Sequence, residues 1–220
     1  MDVKINSPKI ASVTILSINE YIDKDENISS LLFEKEKIEK EKVTGLVFDS
    51  SIFESIRSSS FFLSVTFTDV IFKNCDLSSS KFEMCSFTRC TFINCNMTGV
   101  SIFDSLFSDI SFTSNFRYSN FVNNKLKKTC FEESILNDAR FLENNFNKVF
   151  FEKCEMKESE FSKCNLKDID FSTCDIENII LNPQEISGLI VDCMQTIYIA
   201  RLLGVKIEGR RWYVKSWKYC

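Results

Sequence analysis

The stretch FEKCEMKESEFSKCNLKDIDFSTCDI, residues 151–176, sets Phe151, Met156, Phe161, Leu166, Phe171 and Ile176 at every fifth position. An amphipathic helix repeats its apolar face about every 3.6 residues and a half-buried strand every second one, so a sustained five fits neither. Such a period marks a repeat architecture, in which each unit adds one large side chain to a shared interior. Followed outward, the register holds at five from Phe67 to Phe112, takes one four-residue step to Phe116, and holds again to Leu181. These 24 consecutive positions are all Phe, Leu, Ile or Met.

A second register lies two residues earlier: Cys75, Ser80, Cys85, Cys90, Cys95 and Val100, then Ser119, Ser134, Ala139, Cys154, Ser159, Cys164 and Cys174. Each unit thus offers one large and one small side chain inward and three polar ones outward. The pattern resembles the pentapeptide-repeat family, whose units read A(D/N)LXX with a central Leu or Phe. The resemblance covers residues 45–191 and implies an all-β fold, a right-handed quadrilateral parallel β-helix with four units per coil. The physics agrees, since one unit cannot bury its own Phe but stacked units form a continuous apolar column. The four-residue step through Thr113, Ser114 and Asn115 predicts a bend or distorted turn.

Upstream, Gly45, Ser50, Ser55 and Ser60 carry the small register on, with Val47, Ile52 and Phe62 as its large partners. Arg57 then falls on a core position, where an unpaired charge is costly, so a bulge or an outward Arg57 is expected. Residues 1–44 show no register and read as a charged, loosely structured lead-in. At the other end Ile186 and Val191 extend the column. Asp192 and Gln195 then form an N-cap and N3 pair, and Gly204 a helix stop. Residues 192–220 therefore read as a capping helix and tail. Ile197, Ile199, Ala200, Leu202 and Leu203, with Trp212, Tyr213 and Trp217, are too apolar for a solvated cap. Members of the family use such a helix for two-fold pairing, which implies a homodimer through these residues.

The 220-residue chain contains no His, only five Gly and a net charge of −4. Without His it lacks the commonest general base and zinc nitrogen ligand, and no phosphate-binding glycine motif occurs. A non-enzymatic protein without metal or cofactor is expected. Seven of the ten cysteines occupy the small inward register and read as core filling. The start, MDVKINSPKIASVTIL, has no basic segment before a long apolar run, and no eighteen apolar residues occur together. A cytoplasmic location away from membranes is the expectation.

With four units per coil, residues twenty apart share a side. Beyond Phe116 one side and its neighbour collect Glu132, Glu133, Asp138, Glu152, Glu155, Glu158, Asp170, Asp175 and Glu177. A third carries Lys125, Lys127, Lys128, Lys148 and Lys167 against Asp168. The acidic pair of sides reads as a strip that imitates a nucleic-acid backbone, which excludes direct nucleic-acid binding by that surface. The overall plan resembles the Qnr-type quinolone-resistance branch of the family, which implies DNA gyrase or topoisomerase IV as partner. Qnr proteins of Gram-negative bacteria carry long loops needed for protection, and the register here leaves no room for one. The other reading is a structural interaction rod with no topoisomerase role.

Overall fold

The computed structural model describes residues 4–24 and 29–207. The chain winds as a four-sided parallel β-helix in which each strand pairs with its counterpart one coil further on. Phe121 pairs with Phe141 and Phe141 with Phe161 on one side. Leu126 pairs with Phe146 on the next, and Phe131 with Phe151 on the one after. On the fourth, the pairing narrows to single bridges, running Lys37, Arg57, Asp76, Asn96, Asn115, Ile135, Glu155 and Asp175. At a strand spacing of about 4.8 Å, these rungs span about 34 Å.

The five-residue period follows from this winding. The large residue points inward, and the residue two positions later turns the corner in the left-handed conformation, as at Asn94 (φ 51°) and Asn123 (φ 54°). The corner amide then donates to the next coil, Asn123 N–H to the Leu142 carbonyl at 2.9 Å. Inside, the rings stack coil on coil: Phe121, Phe141 and Phe161 have successive centroids 4.7 Å apart and lie nearly parallel. Burying each Phe contributes about 1.5–3 kcal/mol.

The small inward register does more than fill space. Cys164 Sγ donates to the Phe141 carbonyl at 3.4 Å, Asn144 Nδ2 to that of Phe121 at 2.7 Å, and Asn124 Nδ2 to that of Ile102 at 3.0 Å. Thiol, amide and hydroxyl thus serve one purpose, tying a coil to the carbonyl of a large residue below it. Burial pushes the Cys90 thiol up to about 12 and Cys85 to about 11, so both remain protonated donors. At Val100 and Ala139 the corner is closed by its own main-chain bond to Met97 and Leu136, and no side-chain donor stands there.

Upstream of Phe62 the structure shifts the expected register by one. Phe48 and Phe53 are the buried residues, while Val47 and Ile52 are half-buried beside them. Arg57 is exposed, with Ile56 and Ser58 inward on either side. The shift arises from a second four-residue corner, Ser58 to Phe62, matching the one at Phe112 to Phe116. Both lack the left-handed residue that most other corners carry. Deleting that one position shortens the coil to 19 residues, as in the pairing of Phe107 with Leu126, while strand pairing continues. The expected distortion is therefore a tightened corner, with a local pairing shift between Ile93 and Asn96.

Residues 29–44 belong to the β-helix and are no loose lead-in. Phe33 pairs with Phe53, and Phe33, Ile38 and Val43 are buried. Ahead of them β1 (Thr14–Ile15) pairs in parallel with β2 (Leu31–Glu34), and helix α1 (Ile18–Lys24) closes the open end with Ile18, Tyr21 and Ile22 buried. Residues 4–13 run back along one edge as a strap: Asn6 N and Nδ2 donate to Asp109 at 3.1 and 2.8 Å, and Lys9 N to Asp69 at 2.9 Å.

The far end is closed by helix α2 (Thr196–Leu202). The expected reciprocal bonds are present, Asp192 N donating to Gln195 Oε1 at 2.9 Å and Gln195 N to Asp192 Oδ1 at 2.9 Å, but they close the turn ahead of the helix: α2 begins at Thr196 with Gln195, not Asp192, at its N-cap. Gln195 Nε2 also donates to the Phe171 and Cys174 carbonyls at 2.9 and 2.7 Å, plugging the column. Gly204 (φ 77°) ends the helix, with Val205 N–H reaching back to the Ala200 carbonyl.

Candidate protein-interaction surface

The acidic residues singled out in the sequence fall on three successive coils, three to a coil. Strand pairing sets Glu132 beside Glu152 on the Phe131 side, and bridging sets Glu155 beside Asp175 on the neighbouring bridge side. Asp138 and Glu158 sit at left-handed corners twenty residues apart, with φ 60° and 56°. Like charges one coil apart repel, and nothing in the packing requires carboxylates at these outward positions.

Three cations temper the strip. Lys157 Nζ bridges Glu177 at 2.9 Å and Asp175 at 3.2 Å, and these two partners raise its pKa to about 12. Lys153 reaches Glu133 at 3.4 Å and Arg117 reaches Glu155 at 3.9 Å. Among the described residues no ion pair engages Glu132, Asp138, Glu152, Glu158 or Asp170. Nine carboxylates against three cations leave a net six negative charges on three coils. At about 4.8 Å per coil, that is one charge per about 2.4 Å, against about 1.7 Å for duplex DNA.

The lysines of the Leu126 side gather as read: Lys127 pairs with Asn147 across one coil, and among the described residues only Lys128 of this group reaches a carboxylate, Asp109 at 3.7 Å. Acidic and basic sides are thus adjacent, and meet at the corner carrying Lys128, Lys148 and Asp168.

The residues expected to form a dimer interface divide. Ile199 and Leu202 pack against the core of their own rod, while Ile197 and Leu203 are 37% and 57% exposed and Ala200 is half-buried. Trp212, Tyr213 and Trp217 lie outside the described residues. Met194, 70% exposed beside Ile197, is not legible in the sequence, because it lies in the turn between Asp192 and Gln195 and outside any apolar period. Between α2 and the last coil lies a cleft of about 690 Å³ whose walls include Asp175, Glu177, Met194 and Ile197. Among the described residues no cluster suits a metal ion, and no helix is long and apolar enough to cross a membrane.

The profile of a family described as pentapeptide repeat region matches residues 65–141 and 114–189. No curated protein matches the chain. Among solved structures, full-length QnrB1, a plasmid-mediated fluoroquinolone resistance protein, is similar over 82% of this chain and 91% of its own, at 20% identity and a TM-score of 0.41. HetL, a pentapeptide repeat protein involved in heterocyst differentiation regulation from the cyanobacterium Nostoc sp. strain PCC 7120, is similar over 70% of this chain and 84% of its own, at 10% identity and a TM-score of 0.39.

Proposed function

The chain belongs to the pentapeptide-repeat family, and from that premise we propose that it is a cytoplasmic, non-catalytic rod that binds a type II topoisomerase, DNA gyrase or topoisomerase IV, by presenting its acidic strip in place of DNA. The observation that supports this reading is the row of carboxylates at coil spacing, Glu132 over Glu152 and Glu155 over Asp175. A cation-lined DNA path accepts such a row through screened attraction, so binding weakens as salt rises. The family resemblance supplies the partner class. Protection from quinolones or toxins would follow if the rod displaces a drug-stabilised complex, and homodimerisation would use Leu203 at the far end.

The test is gyrase supercoiling in the presence of a fluoroquinolone with purified protein titrated in. Restored supercoiling supports binding with protection, and inhibition without rescue supports binding alone. Glu155→Lys with Asp175→Lys should abolish either effect. If neither enzyme responds to the unaltered protein, or the double variant acts as well as the parent, the strip does not do this.

A second reading is favoured by the exposed apolar residues Met194, Leu203, Val205 and Ile207, between 46% and 70% exposed, at the α2 end. Patches of this kind mark protein contacts. On that reading the rod docks end-on to another protein and reversal of the strip changes nothing.

A further inference from the structure

The cleft between α2 and the last coil has a defined chemistry. Asp175, Glu177 and Asp192 contribute carboxylates, the first two bridged by Lys157 from the coil before, with Met194 and Ile197 an apolar wall and Arg201 a cation on the rim, so acid still exceeds base. An extended segment that is both basic and aromatic matches this lining: its cations meet the carboxylates and its rings cover the exposed Met194. One segment of the chain has that character. Residues 208–220, outside the described part, read EGRRWYVKSWKYC and set Arg210, Arg211, Lys215 and Lys218 against Glu208 alone, with Trp212, Tyr213 and Trp217 among them.

We propose that this cleft is the docking site for a basic aromatic peptide and that its occupant is residues 208–220 of the same chain. The reach is sufficient. α2 is seven residues, about 10 Å, long, and Gly204 (φ 77°) turns the chain away from the helix axis. Thirteen extended residues cover about 45 Å, several times the length of the helix they must pass. Charge complementarity selects this occupant over the acidic stretches of the chain, which Asp175 and Glu177 would repel. The docking goes beyond the topoisomerase reading and stands without it, since neither cleft nor segment depends on an outside partner.

The chain supplies its own probe, because its two tryptophans, Trp212 and Trp217, both lie in the segment. In the full-length protein their emission should be blue-shifted and shielded from acrylamide, equally so across a dilution series spanning any dimer dissociation. Arg210→Glu with Arg211→Glu, which alters none of the described residues, should raise quenching, as should Asp175→Lys with Glu177→Lys. For exposed pairs the expected change in docked occupancy is roughly twofold to fivefold per ion pair lost. Combining the two double variants should restore shielding. Tryptophans fully open to quencher in the parent overturn the proposal, as does shielding that ignores both charge changes. Shielding that vanishes on dilution also overturns it, by placing the segment between two copies. A protein inert toward topoisomerase but with charge-dependent shielding keeps this inference while removing the partner reading.

Discussion

Ahead of the short corner at Phe112 and Phe116, and behind it, the same coil is turned by different residues. Ahead of it, the left-handed corners are held by Gly, Ser, Asn or Asp at all positions but Lys35, Met84 and Arg89; behind it Lys128, Glu133, Glu143, Lys148, Lys153, Glu158 and Lys163 hold most of them, beside Tyr118, Asn123, Asp138, Asp168 and Asn178. Asn and Asp enter this conformation readily, whereas most other side chains resist it by about 1–2 kcal/mol. Stacked ion pairs recover part of that cost, Lys163 to Glu143 at 2.6 Å and Lys153 to Glu133 at 3.4 Å. Solvent screens exposed pairs such as these, so they do not offset it. The first half of the rod turns most of its corners on short residues, while the second holds long charged side chains at most of its corners, where the backbone disfavours them. Local rules broken in this way point to a surface under a demand other than folding.

The comparison requires the two interiors to be equivalent, which the largest effect tests. Phe87 stacks on Phe107 with centroids at 4.8 Å, and Phe151 on Phe131 at 5.1 Å, both nearly parallel and buried. Phe87→Ala and Phe151→Ala should each cost about 3–5 kcal/mol in urea unfolding. A loss confined to one half would show that the halves differ in packing as well as in surface.

A smaller effect belongs to the first half alone. Asp69 accepts from Nε and Nη2 of Arg89, at 2.7 and 2.6 Å, and from the strap amide of Lys9. Burial pushes its carboxyl upward, but the bonds to Arg89 and Lys9 outweigh it and hold the pKa below the usual 3.8. A depressed folded value means a contribution complete above the unfolded pKa and lost as pH falls through the folded one. Asp69→Asn should therefore cost about 1–3 kcal/mol near neutral pH and flatten the acid limb of the stability profile below about pH 4. An unchanged acid limb would remove Asp69 from that account.

What the sequence discloses follows the same division. From Phe67 onward the large position is unambiguous, and every later register residue named lies inward, with Phe146, Ile186 and Val191 half-buried. Upstream, Val47 stands beside Phe48 and Ile52 beside Phe53, so two phases compete, and a one-residue change of phase reverses every side chain. The true phase runs Phe33, Ile38, Val43, Phe48, Phe53 to Ser58, where a small polar residue occupies the large position and conceals the tightened corner that follows. The strap and the α1 cap leave no periodic trace, because they depend on contacts such as Asn6 with Asp109, 103 residues apart. Charge sorting on the acidic sides was readable from spacing alone. Lys157 was readable as a local cation, but its bridge to both Asp175 and Glu177 required the corner geometry.

The finest test of the comparison is at a single corner. Lys148 (φ 58°) sits at a left-handed position in the second half and makes no ion pair among the described residues. Lys148→Asn should stabilise the protein by about 0.5–1 kcal/mol, since Asn relieves the conformational cost without removing a contact. Lys148→Ala should give no such gain, because Ala keeps the Cβ that opposes the conformation while discarding the charge. If Ala stabilises as much as Asn, the relief comes from lessened repulsion with Lys128 and the conformational argument fails. If Asn alone stabilises, the lysine is retained at a corner where a better residue exists, and the basic side, like the acidic strip beside it, is maintained for what it meets in solution.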